Sequence, residues 1–164
     1  MMWVTERLSA AHDLEKFSCG KPLFDEWLRH AALALDESDQ ARTFVWTDQG
    51  KVIAFYTLVP HEIRRDSRTG RGTSSGAVAA PALFLSSMAL DQRLQGKGLG
   101  GRLLVDAIAR SIVALEKAEA GVIVADAIDA DARAFYQHFG FTPLTDAPFR
   151  LAMRARDARS NLTL

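Results

Sequence analysis

Hydrophobic positions along the chain switch between a strand-like and a helix-like period, and the switches outline a fold. "MWVTERL", Met2 to Leu8, reads as a short first strand. In "KPLFDEWLRHAALALDES", Leu23, Trp27, Leu28, Ala31 and Leu35 share one helical face, and Pro22 suits the first turn, where an N–H is not needed. "TFVWT" and "KVIAFYTLV" are β-rich and flank "DQG", Asp48 to Gly50, which predicts a hairpin turn. "ALFLSSMALD", Ala82 to Asp91, is the next strand. After a glycine-rich segment comes a helix with Leu103, Leu104, Ala107, Ile108, Ile112 and Leu115 on its buried stripe and Gly121 as its stop. "VIVADAI" is a further strand, and "DADARAFYQHFG" a short helix capped by Asp129 and ended by Gly140. "FRLAMRA" closes the chain as a last strand after Pro143 and Pro148. Between His61 and about Ala82 the chain is rich in Arg, Gly, Ser and Thr without any period; a loop that long in a compact domain tends to be functional. The order predicts an α+β or mixed α/β protein with the glycine turn at its centre.

Composition narrows the class. At 164 residues, with 48% hydrophobic and 24% charged positions, the chain is expected to fold as one soluble domain spanning 1–164. No apolar run is long enough to cross a bilayer, "MMWVTERL" lacks a secretion signal, and the lone Cys19 excludes an internal disulfide, so the cytoplasm is the expected location. Twenty basic residues balance twenty acidic ones, which is not the footprint of a general nucleic-acid binder. Local patches remain: Arg64, Arg65, Arg68 and Arg71 in the long loop, and Arg150, Arg154, Arg156 and Arg159 near the C-terminus. His12, His30, His61 and His138 lack metal-ligand spacing with Cys19, so no metal is expected. Ser86 and Ser87 lie on a strand without a nucleophile elbow.

The candidate chemistry starts at "LQGKGLGGRLL", Leu94 to Leu104, where four glycines fall within six residues at the point a helix begins. Glycine costs about 1 kcal/mol against alanine inside a helix. Its return here is open backbone beside the free N–H groups and positive dipole end of a helix N-terminus, a site for an anion. A Walker-type P-loop is absent. Gly96, Gly98 and Gly101 match the dinucleotide fingerprint by letter, and Asp126 ends the next strand. Its context is wrong, because "DQRLQ" separates strand from glycine and only some sixty residues follow. The remaining pattern is Arg/Gln-x-x-Gly-x-Gly/Ala, met by Gln95, Gly98 and Gly100 after "SSMALDQRL".

At these residues, and again at "ARAFYQHFGF", the chain resembles the GNAT N-acetyltransferase family. The resemblance implies a GNAT-like acyltransferase fold, with a central, mostly antiparallel sheet, a splayed parallel pair and flanking helices. It implies acetyl-CoA as co-substrate and no metal. Amides of Gln95, Gly96, Lys97, Gly98, Leu99 and Gly100, with Gly101 nearby, would hold the pyrophosphate, and Lys97 would add a phosphate contact. Backbone groups of Met88, Ala89 and Leu90 would meet the pantetheine arm. Tyr136 resembles the residue that protonates the departing CoA thiolate; a tyrosine with a pKa near 10 keeps its proton at neutral pH. His61 and Glu62 stand near where the family often places a base, and neither is assigned that role.

The N-terminal half is similar to a branch of the family that contains toxins of bacterial toxin–antitoxin modules. The shared features are His12 and Asp13, Phe17, Cys19-Gly20, Leu23, Trp27-Leu28 and Arg42-Thr43-Phe44-Val45. The resemblance implies acetylation of the α-amine of aminoacyl-tRNA, with Arg42, Arg64 and Arg65 as RNA contacts, an antitoxin protein as partner, and a homodimer. An α-amine, with a pKa near 7.7–8.0, needs less base than a lysine near 10.4, which agrees with the lack of a carboxylate cluster. A small-molecule or protein N-acetyltransferase, a non-catalytic acyl-CoA-binding module and a dinucleotide-dependent protein remain as alternatives.

Overall fold

The segment from Pro22 forms two helices where the sequence predicts one. The computed structural model describes residues 3–64, 79–116 and 121–162. In it α1 runs Pro22–His30 and α2 Ala32–Glu37, divided at Ala31, whose φ of −125° leaves the helical region. Pro22 takes the first-turn position as expected. The buried face differs, because Leu23 is 76% exposed while Asp25, Leu28, Ala32 and Asp36 point inward. Two carboxylates set this rotation. Asp25 accepts the Cys19 amide at 3.0 Å. Asp36 accepts the Thr43 amide at 3.0 Å and the Arg7 Nε at 2.7 Å. A buried carboxylate with charge-assisted partners is tolerated in a core, and an apolar-face count overlooks it.

The described chain divides into two compact units, Met1–Val59 with Leu85–Ala107, and Pro60–Phe84 with Ile108–Leu164. In the first unit the strand order is β1 (Glu6–Arg7), β2 (Arg42–Asp48), β3 (Lys51–Arg64) and β4 (Ala79–Leu90), the last two crossing into the second unit. The first strand is shorter than the sequence predicts, with only Glu6 and Arg7 paired, to Val45 and Phe44. β2 and β3 form the expected antiparallel hairpin, Asp48 opposite Lys51, closed by Gln49 and Gly50 with φ of 52° and 79°. Positive φ at both central residues matches the right-handed twist of the strands. Leu28, Ala32, Val45, Val52, Phe55, Phe17 and Cys19 form the core here, with Ala89 of β4 packed on it.

β3 runs on to Arg64 and β4 starts at Ala79, so the predicted loop is shorter at both ends. β3 and β4 are neighbours in the sheet, and their pairing carries both strands past the apolar runs that the sequence marks. The predicted contact Arg65 and the patch residues Arg68 and Arg71 lie outside the described residues.

The helix α3, Leu99–Ala114, buries Leu103, Leu104, Ala107, Ile108 and Leu115 just past its end, as its stripe predicts. Gly121 does not cap it. A Cβ there would lie 3.0 Å from the Leu115 Cβ, so this glycine serves close packing. In the second unit β5 (Val122–Asp126), β7 (Arg150–Arg154) and β6 (Thr142–Pro143) are neighbours in the order β5-β7-β6, with both pairs antiparallel. Ile123, Val124 and Ala125 are buried in succession, the pattern of a strand covered on both faces. α4 spans Ala130–His138; the Asp129 side chain accepts the Ala132 amide at 2.8 Å, a cap worth about 1 kcal/mol. After β7 the chain forms α5, Ala155–Leu162, where the sequence predicts a last strand through Ala155 and no further element. Its inward face is two alanines, Ala155 and Ala158, too small to give a visible apolar stripe.

Candidate functional site

In the first unit the site grows from the end of β4. Asp91 ends that strand's run and caps a single 3-10 turn, Gln92–Leu94. Its amide donates to the Ile53 carbonyl at 2.9 Å. Its carboxylate accepts the Arg93 Nε at 2.9 Å, the Arg93 amide at 3.1 Å and the Ser18 amide at 3.3 Å. Burial alone would raise this carboxyl's pKa, but the donors from Arg93 and Ser18 and the guanidinium charge outweigh it and hold the group below its usual range. Asp91 therefore stays ionised and clamps the turn to the segment before α1.

Gln95 supplies a second clamp. Its side-chain amide donates to the carbonyls of Cys19 and Leu90, both at 2.8 Å, and its backbone amide is directed at the Gln92 carbonyl at 3.3 Å. Gln95 thus stands in the structure as the tether of the turn. Beyond it Gly96 and Gly98 have φ of 76° and 78°, and no atom lies within 4 Å of the place a Cβ would take at either. These two glycines leave open space beside the main chain at the start of α3, with Lys97 exposed between them. Leu99, Gly100 and Gly101 form the first turn of α3, whose leading N–H groups have no partner inside the helix. A cradle of that kind, with helix dipole behind it, suits a diphosphate. Met88, Ala89 and Leu90 are half-buried along the end of β4. Ser87 is buried there with no partner for its hydroxyl among the described residues.

Arg42 opens β2 and pairs with Asp39 at 2.8 Å, while its Nη1 is buried without a hydrogen-bond partner among the described residues. Arg64 is the last residue of β3. Cys19 is a buried thiol pushed up to about 11, first by burial and then by Asp25, and so is a poor nucleophile.

In the second unit Tyr136 lies on α4, only 6% exposed, its ring against Phe135 and Phe141 at 5.6 Å. Burial, and then the negative charge of Asp126, push its hydroxyl up to about 12. The phenol keeps its proton throughout the physiological range. Asp126 in turn is paired with Arg150 by two bonds of 2.7 and 3.0 Å. His61 lies edge-on to Phe84 with ring centroids 5.1 Å apart, and Glu62 follows it in β3. Among the described residues no group of three or more His, Cys, Asp or Glu is placed to hold a metal.

The clamps by Asp91 and Gln95 and the Asp126–Arg150 pair are the parts that sequence reasoning did not assign. Asp91 carried a signal, an Asp at the start of a turn with Arg two residues on. The Asp126–Arg150 pair carried none, because its members are 24 positions apart and meet only through the register of β5 and β7.

The model of the acetyltransferase (GNAT) domain matches residues 39–143. A tRNA-acetylating toxin of Mycobacterium tuberculosis (strain ATCC 25618 / H37Rv) is 36% identical over 154 residues, covering 94% of this chain and 93% of that protein. Among solved structures, a tyrosine-to-phenylalanine mutant of the AtaT toxin, bound to the C-terminus of the antitoxin AtaR and acetyl-CoA, superposes with a TM-score of 0.84 at 23% identity, covering 98% of both chains. AtaT complexed with acetyl-methionyl-tRNAfMet gives a TM-score of 0.83 at 22% identity, covering 98% of this chain and 99% of that one. The structural likeness is one of fold, and it is the mixed α/β acyltransferase fold that the sequence predicts. With a domain match over most of its length and a relative similar from end to end, the chain belongs to the GNAT acetyltransferase family.

Proposed function

We propose that this protein transfers the acetyl group of acetyl-CoA to the α-amine of aminoacyl-tRNA, as a toxin-like enzyme. The observation that carries the reading is its end-to-end similarity to a protein named as a tRNA-acetylating toxin. Acetyl-CoA, when bound, supplies an activated acetyl thioester. The main-chain N–H groups from Gly96 to Gly101, Lys97 among them, hold its diphosphate, and the open positions at Gly96 and Gly98 give the room. Backbone groups of Met88, Ala89 and Leu90 line the pantetheine arm. Tyr136 holds a proton on Oη for a departing thiolate, because burial keeps the phenol protonated at neutral pH. The α-amine of the acceptor, with a pKa near 7.7–8.0, is already partly neutral at pH 7, so a strong base is not required. Arg42, Arg64 and Arg65 are the contacts proposed for the RNA. AtaT is bound to the antitoxin AtaR in its solved complex, and an antitoxin protein is the partner proposed for this chain in the cytoplasm.

Incubation with labelled acetyl-CoA, charged tRNA and a panel of free amines tests the reading. Label appears in the tRNA fraction; label confined to small amines or to protein lysines removes it. Residues 1–164 act as one domain in this reading, which the run of the family match across both compact units supports. Calorimetric melting then shows one cooperative transition, and two resolved transitions would contradict it.

A further inference from the structure

The second unit holds a feature the acetyl-transfer chemistry does not use. Arg150 opens β7 directly opposite Asp126 of β5. Its Nε and Nη2 donate to the two carboxylate oxygens of Asp126 at 2.7 and 3.0 Å, a bidentate fork. The guanidinium carbon lies 4.7 Å from the centroid of the Phe84 ring, so one face of the plane is on that ring. The Phe84 ring is steadied by the edge-on contact with His61. Yet Arg150 remains 45% exposed and Asp126 47%, and an ion pair so exposed adds little to stability. Beside it in sequence, Phe149 is 45% exposed, its backbone carbonyl fixed by the Ala127 amide at 2.8 Å. The Arg133 guanidinium lies 5.7 Å from the Phe149 ring centroid, and its Nε is buried with no partner among the described residues.

Planar cations and exposed rings in this arrangement present faces where a phosphate site would present donors. Asp126 takes two of the five guanidinium donors and the Phe84 ring lies against one side of the group, so the opposite side is the face it offers to a second ring. Unpaired nucleobases stack on guanidinium planes and aromatic rings of this kind. We propose that Arg150, forked to Asp126 and lying over Phe84, is a stacking platform for an unpaired base at the acceptor end of the RNA, with the exposed Phe149 ring next to it in sequence as a second stacking surface. The inference rests on the aminoacyl-tRNA reading above. The platform and Tyr136 belong to the same compact unit, and a base seated on Arg150 is proposed to position the aminoacyl end. Arg150 is a positioning residue and takes no part in the proton transfer.

The test compares wild type with Arg150→Lys, Arg150→Ala and Phe149→Ala. Lysine keeps the charge and can still pair with Asp126, but it has no planar face. The KM for aminoacyl-tRNA rises about tenfold in both Arg150 variants and a few-fold in Phe149→Ala. The kcat at saturation, the acetyl-CoA affinity and the salt slope of RNA binding stay as in wild type. Full rescue by lysine, or a salt slope lowered by about one in Arg150→Ala, would assign Arg150 to a phosphate and overturn the proposal. Binding of an RNA hairpin with an unpaired 3′ end, intact or abasic at single end positions, separates this result from the function itself. Wild type loses about tenfold in affinity at one abasic position, and Arg150→Lys binds both RNAs equally. If wild type acetylates aminoacyl-tRNA but ignores the abasic change, the platform fails alone. If it ignores charged tRNA as acceptor but shows the Arg150-dependent abasic loss, the function fails and the platform stands.

Discussion

Replacing Tyr136 by phenylalanine lowers single-turnover acetyl transfer by about 10²- to 10⁴-fold, the range for loss of a positioned general acid, while acetyl-CoA affinity stays within about twofold. The ring stays against Phe135 and Phe141, so packing is conserved and only the proton donor is removed. The pH dependence follows from the same burial. With its hydroxyl pushed up to about 12, Tyr136 stays protonated well above neutrality and contributes no falling limb to the rate profile between about pH 6 and pH 9. Stability behaves differently. A free tyrosine ionises near 10, the buried one only near 12, so the unfolded chain releases this proton first as the solution becomes alkaline. The folded state is at full stability from this group below about pH 10 and loses it as pH climbs toward 12. The Phe variant lacks that loss, which alkaline denaturation measures. Turnover unchanged in Tyr136→Phe would remove the acid role.

Gly98→Ala raises the Kd for acetyl-CoA by about 10- to 100-fold, the loss of one charge-assisted hydrogen bond or its equivalent. Two effects have to be kept apart. At φ of 78° an L side chain is strained, costing about 1–2 kcal/mol in folding. No protein atom lies within 4 Å of the new Cβ, so nothing in the chain is displaced and the fold persists. The Cβ instead enters the open cradle at the mouth of α3. Calorimetric titration with acetyl-CoA, beside a denaturant melt of the same variant, separates the two. A variant destabilised by the expected amount but binding acetyl-CoA as wild type does would show that the cradle is not where the diphosphate rests.

Most of the elements were legible because they rest on local rules. The hairpin at Gln49 and Gly50, the stripe of α3 and the Asp129 cap each follow from a few neighbouring residues, and each is present. The positions of the glycine turn at the head of α3 and of Tyr136 on α4 were legible for another reason, since a family pattern in the choice of residues marks them. Leu23 shows where such reading fails: two inward carboxylates, each held by a backbone amide, turned α1 and α2 away from the face that apolarity chose. α5 was missed because Ala155 and Ala158 bury so little.

By itself the sequence determined the hairpin, the stripe of α3 and the cap of α4, and it placed the glycine turn at the head of α3 and the tyrosine on α4, all set within spans of a dozen residues. Only the tertiary structure decided what fixes them: Asp91 and Gln95 locking the turn to Ser18 and Cys19, and Asp126 meeting Arg150 across two strands. Those contacts join positions from 24 to 76 apart, and their partners are chosen by strand register and burial, which no local spacing records.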